Sequence, residues 1–199
     1  MSSTNRSKAR EKHIADYYCT PVSQVVHFIQ EFNKTIMLHW DTIRIVDPCA
    51  GGDIVNPMSY PTAIKTVFPT AGNNIFTIDI REDSRAKVKT DYLKYDILNA
   101  GGIKPDMIIT NPPFVLAEPI IEKSIADVKD GGYVIMLLRL NFFGSLHREA
   151  FFKKHMPSYA WIHRKRMSFT PDRKTDSIEY MHTVFIKGQN PSFCKIAII

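Results

Sequence analysis

The sequence predicts an α/β fold in which a mostly parallel sheet is covered by helices on both faces. Three observations carry that prediction. Short apolar runs alternate with segments of helical periodicity, and Pro or Gly punctuates the boundaries between them. In addition, 44% of the 199 residues are hydrophobic against 23% charged, enough apolar material for a full core. One domain is expected over residues 16–199, preceded by a polar, basic arm at 1–15 that lacks the apolar centre of a secretory signal.

The elements follow in order. PVSQVVHFIQEFNKTI places Val22, Val25, Val26, Phe28, Ile29 and Phe32 at helical spacing behind Pro21, which predicts the first helix. TIRIVDP, Thr42 to Pro48, reads as a buried strand stopped by proline, and NIFTIDI, Asn74 to Ile80, as a second. Between them YPTAIKTVF reads as a helix with Pro61 in its first turn. PDMIITN predicts a strand from Pro105 to Asn111. A helix entered through Pro119 and ended by Gly131 and Gly132 follows it. YVIMLLRL is the next strand, HREAFFKKHM a helix, YAWIHRKR a strand, and EYMHTVFIKG the closing strand. Helical crossovers make such a sheet parallel, and ligands of parallel sheets bind beyond the carboxyl ends of the strands.

Composition excludes several classes. No apolar run approaches the roughly 18 residues needed to cross a bilayer, so no membrane partner and a cytosolic location are expected. Cys19, Cys49 and Cys194 are odd in number and widely spaced, which argues against a disulfide framework and a zinc site alike. A net charge of +6 attracts polyanions, but needs a site to give it meaning.

Candidate site residues stand after the strands. DPCAGGD, Asp47 to Asp53, follows the first strand, and Gly51 and Gly52 allow close backbone approach to a ligand. The Lys-Ser/Thr of a phosphate loop is absent; NPMSYP follows instead. Asp79 ends the second strand, where a carboxylate can accept from both hydroxyls of a ribose. Its distance from the glycines exceeds the roughly 20 residues of the dinucleotide fingerprint. Asp96, in YDIL, takes a further strand-end position. Asn111-Pro112-Pro113-Phe114 is the most specific element: two prolines donate no backbone hydrogen bond and stiffen the turn, which fixes the Asn111 amide and the Pro112 carbonyl in direction. Two aimed acceptors suit a substrate that presents an amino group, and Phe114 can stack on a flat ring. Taken alone, the tetrapeptide also reads as a proline-capped strand end with a core phenylalanine.

Together these residues resemble the class I S-adenosylmethionine-dependent methyltransferases, and within them the small phage-type enzymes that methylate the amino group of adenine in DNA. The resemblance runs from about Asp16 to Gly188. It implies a Rossmann-like, mostly parallel seven-stranded sheet, S-adenosylmethionine as cofactor, and DNA as partner. DYYCTP, with Tyr18, Thr20 and Pro21, is similar to the family's N-terminal cofactor segment. DPCAGGD, with Asp47, Pro48, Cys49 and Gly51, is similar to its glycine motif. Asp79, with Ile80 beside it, resembles the ribose carboxylate, and Asp96 with Ile97 the contact to the cofactor adenine. Asn111, Pro112, Pro113 and Phe114 match the catalytic tetrapeptide. RMSFTPDRKTDSIEYMHTVF resembles a segment before the family's last strand, which makes Phe169 a second contact to a flipped base. Arg164, Lys165 and Arg166 are candidate phosphate contacts, and no metal is implied.

Two departures stand out. Asp53 occupies a position where the family usually has glycine, with the NPMSYP insert behind it, and no separate domain is left to read DNA sequence. Recognition then falls to loops, to a second copy in a homodimer or a partner subunit, or to very few bases. Enzymes that methylate RNA bases or a protein glutamine share the Asn-Pro-Pro-aromatic turn, and a catalytically silent subunit of a methyltransferase complex is the non-enzyme alternative.

Overall fold

The computed structural model describes residues 18–169 and 177–199. The N-terminal arm, and the centre of the segment between Phe169 and Ser177, lie outside them.

The first helix, α1, is Val22–Thr35, with Pro21 at its N-cap and Val25, Phe28, Ile29 and Phe32 buried, as their spacing requires. Strand β1 is Ile45–Asp47, α2 is Ser59–Val67 and β2 is Ile75–Asp79. Then come β3, Val88–Lys89, β4, Met107–Thr110, α3, Ala117–Asp127, and β5, Tyr133–Arg139. The chain finishes with α4, Glu149–Lys154, β6, Tyr159–Ile162, β7, Tyr180–Ile186, and β8, Lys195–Ile198.

These strands form one eight-stranded sheet in the order β3-β2-β1-β4-β5-β7-β6-β8. All neighbours are parallel except β7, which runs antiparallel to β5 and to β6. The sheet therefore has one strand more than the seven expected, and EYMHTVFIKG is an interior strand, not the closing one. The two strands without a sequence signal are β3, only two residues long, and β8, whose four residues are all exposed at the edge. Neither buries enough apolar surface to show a period. The predicted helix after Asn111 ends at Asp127, short of the glycines. Gly131, in the left-handed region at φ 73°, instead shapes the turn into β5 and donates its N–H to Lys187 O.

Successive residues of the inner strands face opposite layers. Val46, Ile108, Val134 and Met136 pack beneath α3 and α4, while Ile45, Met107, Ile109 and Ile135 pack under α1 and α2. The α1 layer also holds a buried polar chain. Tyr60 Oη lies 2.9 Å from His182 Nε2, and His182 Nδ1 lies 2.7 Å from His163 Nε2, with His182 stacked on Phe28 at 3.9 Å. Burial drives His163 down to about 4 and lowers His182 as well, so both imidazoles are neutral at pH 7. No helix among the described residues is long and apolar enough to cross a membrane.

Candidate active site

Chain order reverses on either side of β1, whose neighbours are β2 and β4. A crevice opens at the carboxyl ends of strands at such a switch point. A cavity of about 360 Å³ lies there, within the range of small-molecule sites. One wall is Pro48, Cys49, Gly51 and Gly52 after β1, and Asp79, Ile80 and Arg81 at the end of β2. The opposite wall is Asn111, Pro112 and Pro113 after β4, with Val115 and Leu116 beyond. Tyr18 and Thr20 cover it from before α1, and Ser59 and Tyr60 from the start of α2.

The glycine loop and Asp79 form a closed backbone network. Asp79 Oδ2 accepts from Gly51 N at 2.7 Å and its Oδ1 from Arg81 N at 2.8 Å, so the carboxylate is held in place by main chain and still has lone pairs for a ligand. Gly52 sits at φ 72°, and a Cβ there would meet Met58 Cγ at 2.7 Å, so both backbone shape and space require glycine.

Asp47 does not line the cavity. It is fully buried one layer below, where its Oδ1 accepts from the Thr110 hydroxyl at 2.6 Å and from Cys49 N at 3.3 Å, joining the ends of β1 and β4. Its Oδ2 has no partner, and burial raises the carboxyl to about 7. Cys49 is pushed well up by the same burial, which makes its thiol inert, and no group of metal-ligating side chains occurs among the described residues.

The catalytic-turn candidate has the most telling geometry. Asn111 Nδ2 donates to Thr20 Oγ1 at 3.0 Å, while Asn111 Oδ1 is buried with no hydrogen-bond partner. Thr20 is held in turn through its carbonyl, which accepts from Ser59 Oγ at 2.7 Å. The Asn111 amide thus stands in the cavity wall beside Pro112 and Pro113.

Phe114 turns away from the cavity wall. It packs in a third apolar cluster with Leu137, Met167, Tyr180 and Phe169, its ring 5.8 Å from that of Tyr180 and 4.4 Å from the Arg139 guanidinium. Phe169 reaches the same lip, 5.8 Å from Tyr18 and 5.0 Å from Tyr180. Pro21 is the cap of α1 and not a wall residue. Arg164 and Lys165 are exposed after β6, whereas Arg166 is paired with Glu179 at 2.9 Å.

Asp96 stands elsewhere than its sequence position suggested. It is not at a strand end: it caps a 3₁₀ turn, accepts from Leu98 N at 3.0 Å and is exposed, while Ile97 is buried in the main core. The cavity is lined instead by Asp91, Tyr92 and Leu93. Asp91 caps the preceding turn with the same geometry, accepting from Leu93 N at 3.0 Å. TDYLKYDIL thus contains two Asp-capped turns of one design, and local chemistry alone does not say which faces the cavity.

Asp53 is likewise accounted for. Its carboxylate accepts from Val55 N and Asn56 N, both at 2.7 Å, and from Asn56 Nδ2, and the Asn56 amide helps hold it below the usual carboxylate range. Asp53 shapes the loop into α2 and is not a wall residue. The NPMSYP insert has a constructive place: it leads the chain to Ser59 and Tyr60, two wall residues that carry no motif. Arg81, Tyr92 and Ile120 are further wall residues without a sequence signal.

No protein-family model and no curated protein sequence matches the chain. Solved structures do. A protein assigned as a class I S-adenosylmethionine-dependent methyltransferase from Listeria monocytogenes superposes with a TM-score of 0.68 at 15% identity, over 96% of this chain and 68% of that one. A protein assigned as an RNA methyltransferase from Pyrococcus horikoshii gives 0.59 at 14% identity, over 87% of each chain. The M protein of the type I restriction enzyme EcoKI gives 0.56 at 12% identity, over 94% of this chain and 49% of that one. The chain has the Rossmann-like fold of class I S-adenosylmethionine-dependent methyltransferases, with a mostly parallel sheet of eight strands.

Proposed function

We propose that this protein transfers the methyl group of S-adenosylmethionine to the exocyclic amino nitrogen of adenine in DNA. The observation that carries the reading is the Asn111 amide: Nδ2 is anchored on Thr20 and Oδ1 is buried without a partner. A buried acceptor left unpaired costs about 1–3 kcal/mol, a cost offset when a ligand N–H arrives.

The cavity suits the cofactor on its own evidence. Asp79, held by Gly51 and Arg81, offers lone pairs to a ribose diol, and the Gly51–Gly52 loop leaves no side chain between backbone and ligand. Asp91 and Tyr92 line the same cavity and would be available to the adenine of the cofactor, with Leu93 and Ile80 as apolar cover. When bound, S-adenosylmethionine supplies an electrophilic methyl group on a sulfonium.

The substrate's amino nitrogen is a poor nucleophile because its lone pair is delocalised into the ring. Asn111 Oδ1 and the Pro112 carbonyl would accept hydrogen bonds from its two N–H groups and direct the lone pair toward the methyl group; as the N–C bond formed, the S–C bond would break with its electron pair left on sulfur, and the methylated nitrogen would lose one proton to solvent. The catalytic contribution is thus orientation and electrostatics, with no proton held by the protein beforehand. Because that nitrogen lies inside a duplex stack, the base must be rotated out. The aromatic rings of Tyr18 and Phe169 provide surfaces for it.

A planar amide such as glutamine presents the same amino group, and so do RNA bases. The aromatic lip and the exposed Arg164 and Lys165 favour a nucleic acid, and the phage-type resemblance favours DNA adenine. The deciding experiment is incubation with methyl-labelled cofactor and, separately, DNA, RNA and glutamine-containing protein, followed by nucleoside or amino-acid analysis. Label in N6-methyladenosine of RNA or in methylglutamine, with none in DNA, would refute the DNA reading.

A further inference from the structure

Three arginines near the carboxyl edge of the sheet are neutralised. Arg81 is paired with Asp83 at 2.8 Å, Arg148 with Glu118 at 2.7 Å and Arg166 with Glu179 at 2.9 Å. Arg139, the last residue of β5, is different. Among the described residues no carboxylate pairs with it, its Nε is buried without a hydrogen-bond partner, and its guanidinium lies over the Phe114 ring at 4.4 Å. Phe114 is the last residue of the catalytic turn, so the charge sits within one ring's thickness of that turn. It does not line the cavity.

A guanidinium held over a ring keeps a fork of N–H donors that matches the oxygens of a phosphate. We propose that Arg139 is a phosphate contact of the substrate nucleic acid. It would grip the backbone next to the nucleotide delivered to Asn111, with Phe114 acting as the platform that aims it. The inference rests on the methyl-transfer reading, and it selects nucleic acid over a protein substrate, because a glutamine side chain brings no anion.

The test is the salt dependence of binding to a fluorescently labelled duplex and to its single strand, measured on the full chain without cofactor. Arg139→Gln is expected to reduce the slope of log affinity against log salt by about 0.9 on the duplex or about 0.7 on the single strand. Arg139→Lys is expected to retain the slope. Cofactor affinity, measured by calorimetry, stays unchanged in both. If Arg139→Gln does not fold, Arg139→Met, which keeps an apolar stem over the Phe114 ring, replaces it. Equal slopes for wild type and the neutral variant overturn the proposal. So does a loss confined to particular base sequences, which would make Arg139 a base contact, or wild-type binding without salt dependence. These slopes require no turnover, so they decide Arg139 separately from the labelled-cofactor experiment that decides the methyl-transfer reading.

Discussion

The two walls of the cavity are built differently. At the end of β2 the carboxylate is satisfied from within: both oxygens of Asp79 accept main-chain N–H groups, and Arg81 is paired with Asp83. In the opposite wall, at the end of β4, Asn111 Oδ1 is buried and unpartnered, and behind that wall, at the end of β5, so is Arg139 Nε, beside half-buried aromatic rings. The first wall is preorganised to receive a small ligand. The second is incomplete until something with N–H groups, and on our reading a phosphate, is brought to it. Cofactor binding and substrate capture should therefore respond separately to mutation.

The largest expected effect is at the unsatisfied wall. Asn111→Ala should lower kcat/KM for methyl transfer by about 100-fold or more, the scale of losing one directed hydrogen-bonding group in a dry site, while cofactor affinity stays within a few-fold. Near-normal turnover would remove Asn111 from the chemistry. At the satisfied wall, Asp79→Ala should raise the cofactor dissociation constant by roughly 10- to 100-fold, the equivalent of about 1.5–3 kcal/mol for hydrogen bonds to a charged acceptor. Calorimetry with unchanged affinity would exclude Asp79 from the site.

Gly52→Ala should act through the fold before it acts on ligands. A side chain at φ 72° against Met58 at 2.7 Å costs about 1–3 kcal/mol, read as a lowered thermal midpoint. An unchanged midpoint would show that the loop repacks without cost.

The last expected effect is a pH dependence. His163 and His182 titrate lower folded than unfolded, so between about 4 and 6.5 the unfolded chain binds their protons and stability rises with pH. Asp47 has the opposite sign: raised to about 7, it is protonated in the folded state and ionised in the unfolded one, so its contribution falls as pH rises through the same window. Each group changes the slope by up to about 1.4 kcal/mol per pH unit. Asp47→Asn should therefore steepen the rise in stability from pH 4 to 6.5 in denaturant titrations. An unaltered slope would mean that the Asp47 carboxyl is not raised by its burial.

Several elements were readable locally because their chemistry is local. The buried stripe of α1 follows from residue spacing, the strand before Asn111 ends where proline can no longer donate, and Asp79 marks the end of β2. β3 and β8 escaped notice because a two-residue strand and a fully exposed edge strand carry no apolar period. Gly131 and Gly132 signalled a helix end, but the helix had already stopped at Asp127. Asp91 carried no signal that set it apart from Asp96: two capped turns of one design lie five residues apart, and only the packing of Ile97 into the core and the place of Asp91 in the cavity wall distinguish them.

What the sequence by itself determined is the set of groups that short-range geometry controls: the alternating α/β order, the glycine loop after β1, Asp79, and the stiff Asn111–Phe114 turn. Proline rings, glycine torsions and strand alternation act within a few residues, so a linear reading captures them. The tertiary structure alone decided which polar atoms are satisfied. Thr20 anchors Asn111 across 91 positions of chain, Thr110 joins Asp47 across 63, and Arg139 reaches the Phe114 ring from the next strand. Satisfaction depends on what the folded sheet brings within about 3 Å, and no local pattern encodes that distance.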